Sequence, residues 1–150
     1  MSQPQEGFHE ILVKRSDQDF SDELAKTGWY HSMELPSGAV RGFLSLEDLR
    51  QRWSEFPLPD DLNGSRLLDI GTWDGWFAFE AERRGAEVVA VDIAAQENFY
   101  HAHRELKSKI RYEVCEVYRL PELQAGVFDY ILFLGVLYHL RHPLRALEVV

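Results

Sequence analysis

Seven consecutive residues, Asp69-Ile70-Gly71-Thr72-Trp73-Asp74-Gly75, place carboxylates, a hydroxyl and two glycines at the end of a short apolar run. Gly71 lets the backbone turn sharply or approach a ligand, and Gly75 opens the following segment with no side chain in the way. Asp92 ends a second apolar run about 20 residues on, the distance at which an acidic residue can accept both hydroxyls of a ribose. A dinucleotide fingerprint starting at Gly71 needs glycines at positions 73 and 76, where Trp73 and Trp76 stand. No Gly-Lys-Ser/Thr follows to cradle phosphates, and no lysine lies between Ser65 and Asp92. Asp69 further disfavours a pyrophosphate and suits a cationic group; its competing role is to stabilise its own loop through backbone N–H groups.

Such residues need strands to hold them. From Ser65 short apolar runs alternate with longer amphipathic stretches: strands over 66–70, 87–91, 110–117 and 128–134, and helices over 75–84, with Gly85 as stop, and 93–107. Nearly continuous apolar strands imply burial on both faces. The expected fold class is therefore α/β, a Rossmann-like open, mainly parallel sheet with helices on both faces. Its ligand site is expected beyond the carboxyl ends of the strands. Residues 63–150 are expected to form this core and residues 1–62 a small helical and aromatic N-terminal arm and cap region. In that arm a helix is expected over 17–26, a turn at Pro36-Ser37-Gly38, and a capping box at Ser45 and Asp48 opening a helix to about Trp53. The run at 11–13 is open between helix and edge strand. Pro57, Pro59 and Asn63-Gly64 mark the boundary. A last helix from Pro143 carries Leu144, Leu147 and Val150 on an expected apolar face. No C-cap signal follows, so the core is expected to be incomplete at the C-terminus, with a missing segment or a partner chain completing the sheet.

A ligand with a ribose, an adenine, a positive sulfonium and ammonium, and no phosphate meets the demands of the loop: S-adenosylmethionine. Residues 67–93, LLDIGTWDGWFAFEAERRGAEVVAVDI, resemble the class I S-adenosylmethionine-dependent methyltransferases, most of all the branch related to the tRNA wobble-uridine 5-oxyacetic acid carboxymethyltransferases. Residues 28–38, GWYHSMELPSG, look like that branch's arm ahead of the core, and residues 135–143, GVLYHLRHP, like its segment after the fourth strand. Trp73 departs from the superfamily's usual middle glycine.

The resemblance implies that Asp69, Gly71, Trp73 and Gly75 hold the methionyl part and the ribose side of the cofactor. It gives the ribose diol to Asp92, whose competing role is a helix N-cap, and sets Ile93 against adenine. Glu116, at the expected end of the third strand, stands where the superfamily often accepts from the adenine amino group, with the Val117 backbone beside it; otherwise it is a solvated charge. Gly135 would bring backbone close to the sulfonium, or make a tight turn. Methyl transfer mainly requires a nucleophile positioned behind the methyl carbon and exclusion of water. Where the acceptor must lose a proton, a histidine suits the work. His139, beside Tyr138 on the rim, is the candidate base; its competing role is a hydrogen bond to a loop carbonyl. Tyr30 and His31 could close over the cofactor or grip the acceptor, with core packing as the alternative.

The chain has 150 residues, 45% hydrophobic and 27% charged, enough for one domain burying roughly two-thirds of its unfolded surface. No run of about 20 apolar residues is present and the first ten residues are too polar for a signal peptide, so a cytoplasmic protein is expected. The single cysteine, Cys115, excludes an intrachain disulfide and a multi-cysteine metal site. His101 and His103 lie two apart with no acidic partner at metal spacing, so no metal is expected and both are read as solvated, as are Arg83-Arg84 and the Lys107, Lys109, Arg111 group. Sixteen basic against twenty-five acidic residues give −9, which disfavours tRNA as a partner. The expected function is transfer of a methyl group from S-adenosylmethionine to a hydroxyl or amine of a small molecule or sugar. The alternatives are carboxymethyl or methyl transfer to a tRNA wobble uridine, and a non-catalytic S-adenosylmethionine-binding module. A dinucleotide oxidoreductase is least favoured.

Overall fold

The computed structural model describes residues 28–150; the helix expected over 17–26 and the run at 11–13 lie outside them. After the turn at Pro36 and Ser37 the chain doubles back, so β1 (Met33–Leu35) pairs antiparallel with β2 (Gly38–Val40). This hairpin was not expected in an arm read as helical. The capping box forms: Ser45 Oγ accepts from the Asp48 amide at 3.1 Å while the Asp48 carboxylate accepts from the Ser45 amide at 3.3 Å. It opens α1 (Leu46–Glu55), which buries Leu49 and Trp53, four residues apart on one face. Pro57 follows its C-cap and ends it.

β3 (Arg66–Ile70), β4 (Glu87–Asp92), β5 (Arg111–Val114) and β6 (Tyr130–Phe133) form a parallel sheet in the order β5-β4-β3-β6. Side chains alternate across it. Leu67, Val88, Ala90 and Leu132 face α1, α2 (Trp76–Arg83) and α3 (Glu97–Leu106); Leu68, Ile70, Val89 and Val91 face the 3₁₀ turn Val117–Leu123 and α4 (Pro143–Val149). Each of these leucine, isoleucine and valine chains contributes about 1.5–3 kcal/mol by leaving water. Strand order reverses at β3, whose neighbours β4 and β6 follow it on opposite sides, so the crevice of an open α/β sheet lies at its carboxyl end.

Three elements differ from expectation by more than a residue at a boundary, and a fourth in the face it buries. α3 begins at Glu97 rather than residue 93, because the Asp92 carboxylate accepts from the Ile93 amide at 2.8 Å and holds a turn there. β5 ends at Val114, short of Glu116 and Val117, where the Cys115 amide reaches Asp92 O at 2.8 Å and the chain coils into the 3₁₀ turn. β6 is shorter than residues 128–134. On α4 the expected apolar face is outward, Leu144 and Leu147 being exposed. The helix docks instead through Ala146, about 200° round the axis from Leu144, because a small residue admits close packing on the 3₁₀ turn.

Candidate functional site

The loop between β3 and α2 is a tight backbone structure. The amides of Gly71 and Thr72 both donate to Val91 O, at 2.9 and 3.2 Å, and the Gly75 amide donates to Thr72 O at 2.8 Å. Gly71 lies at φ +75°, and a Cβ there would meet Val136 Cγ2 at 2.2 Å; at Gly75 it would meet the Phe99 ring at 2.5 Å. Both positions exclude a side chain for reasons of packing as well as of turn geometry. Trp73 also adopts a left-handed backbone, φ +50°, unusual for a bulky residue. Its amide donates to Asp92 Oδ2 at 2.9 Å, so Asp92 ties the loop to the turn after β4 with one oxygen for each amide. Asp92 is not the N-cap of α3, a position that Gln96 fills. Gln96 Nε2 also reaches Oδ1, at 3.5 Å, so Oδ2 is the oxygen that retains a lone pair for a hydroxyl donor.

Asp69 is buried beneath this loop. Burial pushes its carboxyl up to about 7; the Thr72 hydroxyl beside it pulls the other way and the negative charge of Asp92 adds to the rise. Asp74, which sequence reasoning did not select, is buried too and binds the arm to the loop. It accepts from the Tyr30 amide, from the His31 amide at 3.0 Å and from Asn98 Nδ2 of α3 at 3.2 Å. Burial again raises its carboxyl, more than these three donors lower it. Its sequence signal was faint: a second aspartate before the glycine that opens α2.

The arm thereby lays Tyr30 against Trp73, with ring centroids 5.4 Å apart. His31 is only 4% exposed, edge-on to Phe77, and burial pushes its imidazole down to about 3, so it is a neutral core group at physiological pH. Its ring is enclosed rather than turned towards the loop's open side. Beyond β6, Gly135 leads into a 3₁₀ turn, Leu137–His139, whose Val136 side chain packs against Gly71. Tyr138 and His139 are exposed on this rim, ring centroids 4.1 Å apart. Ile93 is 75% exposed, presenting an apolar face beside Asp92. Glu116 is exposed two residues beyond β5, and the Val117 side chain is buried on the other face of the sheet.

The structure thus brings Asp69, Gly71, Trp73, Gly75, Asp92, Ile93, Gly135, Tyr138 and Tyr30 to the carboxyl ends of β3, β4 and β6. The donor set suits a cationic nucleoside: Asp69 and Asp92 supply acceptors, and no arginine or lysine stands in the loop from Asp69 to Gly75. Elsewhere, His103 is half-buried and its Nε2 bonds Ile110 O at 3.0 Å, so it is not solvated as expected; it holds the turn after α3. His101 pairs with Glu105 at 2.9 Å. A separate cleft of about 550 Å³ lies between the arm and α3, lined by Trp29, Glu97, Asn98, Tyr100, His101 and Arg104.

These features define a class I, Rossmann-like S-adenosylmethionine-binding domain. Residues 40–150 match the model of the methyltransferase domain family, and the chain belongs to that family, S-adenosylmethionine being its cofactor. It is 38% identical over 89 residues to a magnesium-protoporphyrin O-methyltransferase of Rhodobacter capsulatus, covering 57% of this chain and 38% of that protein. It is 36% identical over 91 residues to a tRNA U34 carboxymethyltransferase of Campylobacter hominis, covering 59% and 32%. It is 33% identical over 130 residues to a ubiquinone biosynthesis O-methyltransferase of Acinetobacter baylyi, covering 85% and 52%. The chain spans about a third to a half of the length of these relatives. No helix of the described residues is long and apolar enough to cross a membrane.

Proposed function

We propose that the chain is the cofactor-binding part of an enzyme that transfers a methyl group from S-adenosylmethionine to a hydroxyl or amine of a small molecule. The observation that carries this reading is the pair of buried carboxylates, Asp69 and Asp92, at the ends of adjacent strands around a glycine turn without cationic side chains. Asp92 accepts from the ribose hydroxyls, through the lone pair left on Oδ2 and through Oδ1 once the long bond from Gln96 gives way. Asp69 supplies negative charge to the ammonium end, and Ile93 packs on adenine, with Glu116 as acceptor for the adenine amino group. Gly71, Gly75 and Gly135 keep the backbone close to the ligand, and Trp73 shields it from water. When bound, S-adenosylmethionine supplies a methyl carbon on a good leaving group, so the protein's work is orientation and exclusion of water. His139 receives the acceptor's proton on the rim. Relatives named as a magnesium-protoporphyrin O-methyltransferase and a ubiquinone biosynthesis O-methyltransferase support an oxygen as the acceptor atom.

Calorimetric titration with S-adenosylmethionine and S-adenosylhomocysteine, with NAD as control, tests the reading. Micromolar binding of the first two without NAD binding is expected. Asp92→Ala should weaken both at least tenfold. His139→Ala should leave binding intact and lower the transfer rate by about 10²-fold or more, the usual contribution of a general base. A folded protein that binds neither ligand would sink the assignment. The Campylobacter hominis relative supports a second reading, transfer to a tRNA wobble uridine; methylation or carboxymethylation of a tRNA transcript in the same assay would favour it.

A further inference from the structure

Trp73 stands outside both hydrophobic clusters, 39% exposed, although its loop is sealed on the other side by Phe99 and Val136. Its backbone is held in a left-handed conformation by the bond to Asp92, so the indole's outward position is fixed by the loop rather than left to chance. Tyr30 meets it in a tilted contact, ring centroids 5.4 Å and planes 41° apart, and Phe43 stacks on Tyr30 at 5.8 Å. From the opposite rim Tyr138, 77% exposed, folds its hydroxyl back over Gly135, within 3.6 Å of where a Cβ would stand. Burial raises the Tyr30 phenol's pKa, the Arg52 charge works against the rise, and Tyr138 adds to it. Three rings from three separate segments therefore converge at the carboxyl ends of β3 and β6, the crevice where strand order reverses.

We propose that Trp73, Tyr30 and Tyr138 wall an acceptor cleft that takes a planar, conjugated ring bearing the hydroxyl to be methylated. The inference rests on the methyltransferase reading above. Aromatic rings with exposed faces around one crevice gain most from a flat π-surface packed on those faces. An alkylammonium would also be attracted to them, but the same rings and the buried carboxylates nearby hold it protonated, without the lone pair that attack requires. A hydroxyl on a conjugated ring ionises near pH 10, as in tyrosine, far more readily than an alkyl hydroxyl, so a neighbouring histidine suffices to assist it. In the transfer the oxygen lone pair forms the new O–CH₃ bond and the C–S bonding pair returns to sulfur, giving S-adenosylhomocysteine. The hydroxyl proton passes to His139, beside Tyr138.

The test uses the full chain saturated with S-adenosylhomocysteine and two shape-matched pairs: catechol against trans-cyclohexane-1,2-diol, and 2-naphthol against decahydro-2-naphthol. Affinities are read by ligand-observed NMR titration. Each planar compound is expected to bind at least tenfold more tightly than its saturated partner. Tyr138→Leu should reduce that preference about tenfold, Tyr138→Phe should keep most of it, and the affinity for S-adenosylhomocysteine should stay within about twofold in both. Equal affinity for planar and saturated compounds on the loaded protein would overturn the cleft while leaving the cofactor reading standing. Undiminished preference in Tyr138→Leu would overturn it as well. Failure of the folded chain to bind S-adenosylhomocysteine would overturn the methyltransferase reading and the cleft with it.

Discussion

A carboxylic acid sealed under a backbone turn titrates where an exposed one does not, and Asp69 is such a group. Burial raises its pKa from 3.8 to about 7, so between these values the folded chain holds a proton that the unfolded chain has released. Its contribution to stability is fully present below about pH 4 and is lost as pH rises towards 7; burial moves Asp74 in the same direction. Asp69→Asn removes the titration, and the variant's thermal midpoint should be flatter than the native one between pH 4 and pH 7. A bound cation reverses the shift by favouring the ionised form. Binding of S-adenosylmethionine should therefore release a proton at pH 6.5 and weaken as pH falls below 7, visible as a dependence of binding enthalpy on the buffer's ionisation enthalpy. An enthalpy independent of buffer in the native chain would remove Asp69 from the cationic end of the ligand. Asp69 and Asp92 were legible in the sequence because strand ends and their spacing point to them. Asp74 was not, since its meaning lies in the amides of Tyr30 and His31, more than forty positions away.

At the scale of elements, that carboxylate joins the arm to the loop after β3, while the hairpin turn bonds α3 separately, Ser37 donating to Glu105 from its amide at 3.0 Å and its hydroxyl at 2.8 Å. Asn98 of α3 reaches both Asp74 and the carbonyl of Gly28, so arm, loop and helix share a single polar junction. Asp74→Ala leaves the buried His31 amide and the part-buried Tyr30 amide without their acceptor, and Asn98 with Gly28 O alone. Each buried orphan costs about 1–3 kcal/mol. Urea unfolding should show a loss of that order or more, and amide exchange at Tyr30 and His31 should accelerate beyond what the global loss explains. Asp74→Asn should fall between, because an amide oxygen can still accept from the two backbone donors while its NH₂ confronts that of Asn98. Unchanged exchange at the arm in Asp74→Ala would show that aromatic packing and the Ser37–Glu105 bonds hold it without this carboxylate. Strands β3 and β4 were legible to within a residue, since their apolar runs are bounded by Gly64 and Gly71 or by Gly85 and Asp92. The start of α3 and the end of β5 were not: both are fixed by Asp92, through its carboxylate at Ile93 and its carbonyl at Cys115, and hydrophobic periodicity carries no trace of such bonds. The hairpin was hidden because β1 and β2 are three residues each, too short for alternation to register.

At the scale of the molecule, charge separates the two acceptor classes more sharply than fold does. The formal charge is −9, and many of the arginines are engaged locally: Arg83 and Arg84 with Glu80, Arg84 also with Asp60, Arg66 with Glu87, Arg111 with Glu113 and Arg119 with Glu122. A surface of this kind offers few cations to displace the counterions of a polynucleotide, and displacement of those counterions supplies most non-specific affinity. The site deepens the contrast, because Asp69, Asp74 and Asp92 bring three carboxyl groups to the carboxyl ends of the strands. Unmodified tRNA should therefore show no binding at micromolar concentration and about 0.15 M salt, roughly physiological ionic strength. Whatever binding appears at low salt should fall steeply as salt rises. Filter binding across a salt series decides the matter: sub-micromolar affinity that survives physiological salt would mean that a local contact overrides the net charge, and would move the acceptor from a small hydroxylated ring to a nucleic acid.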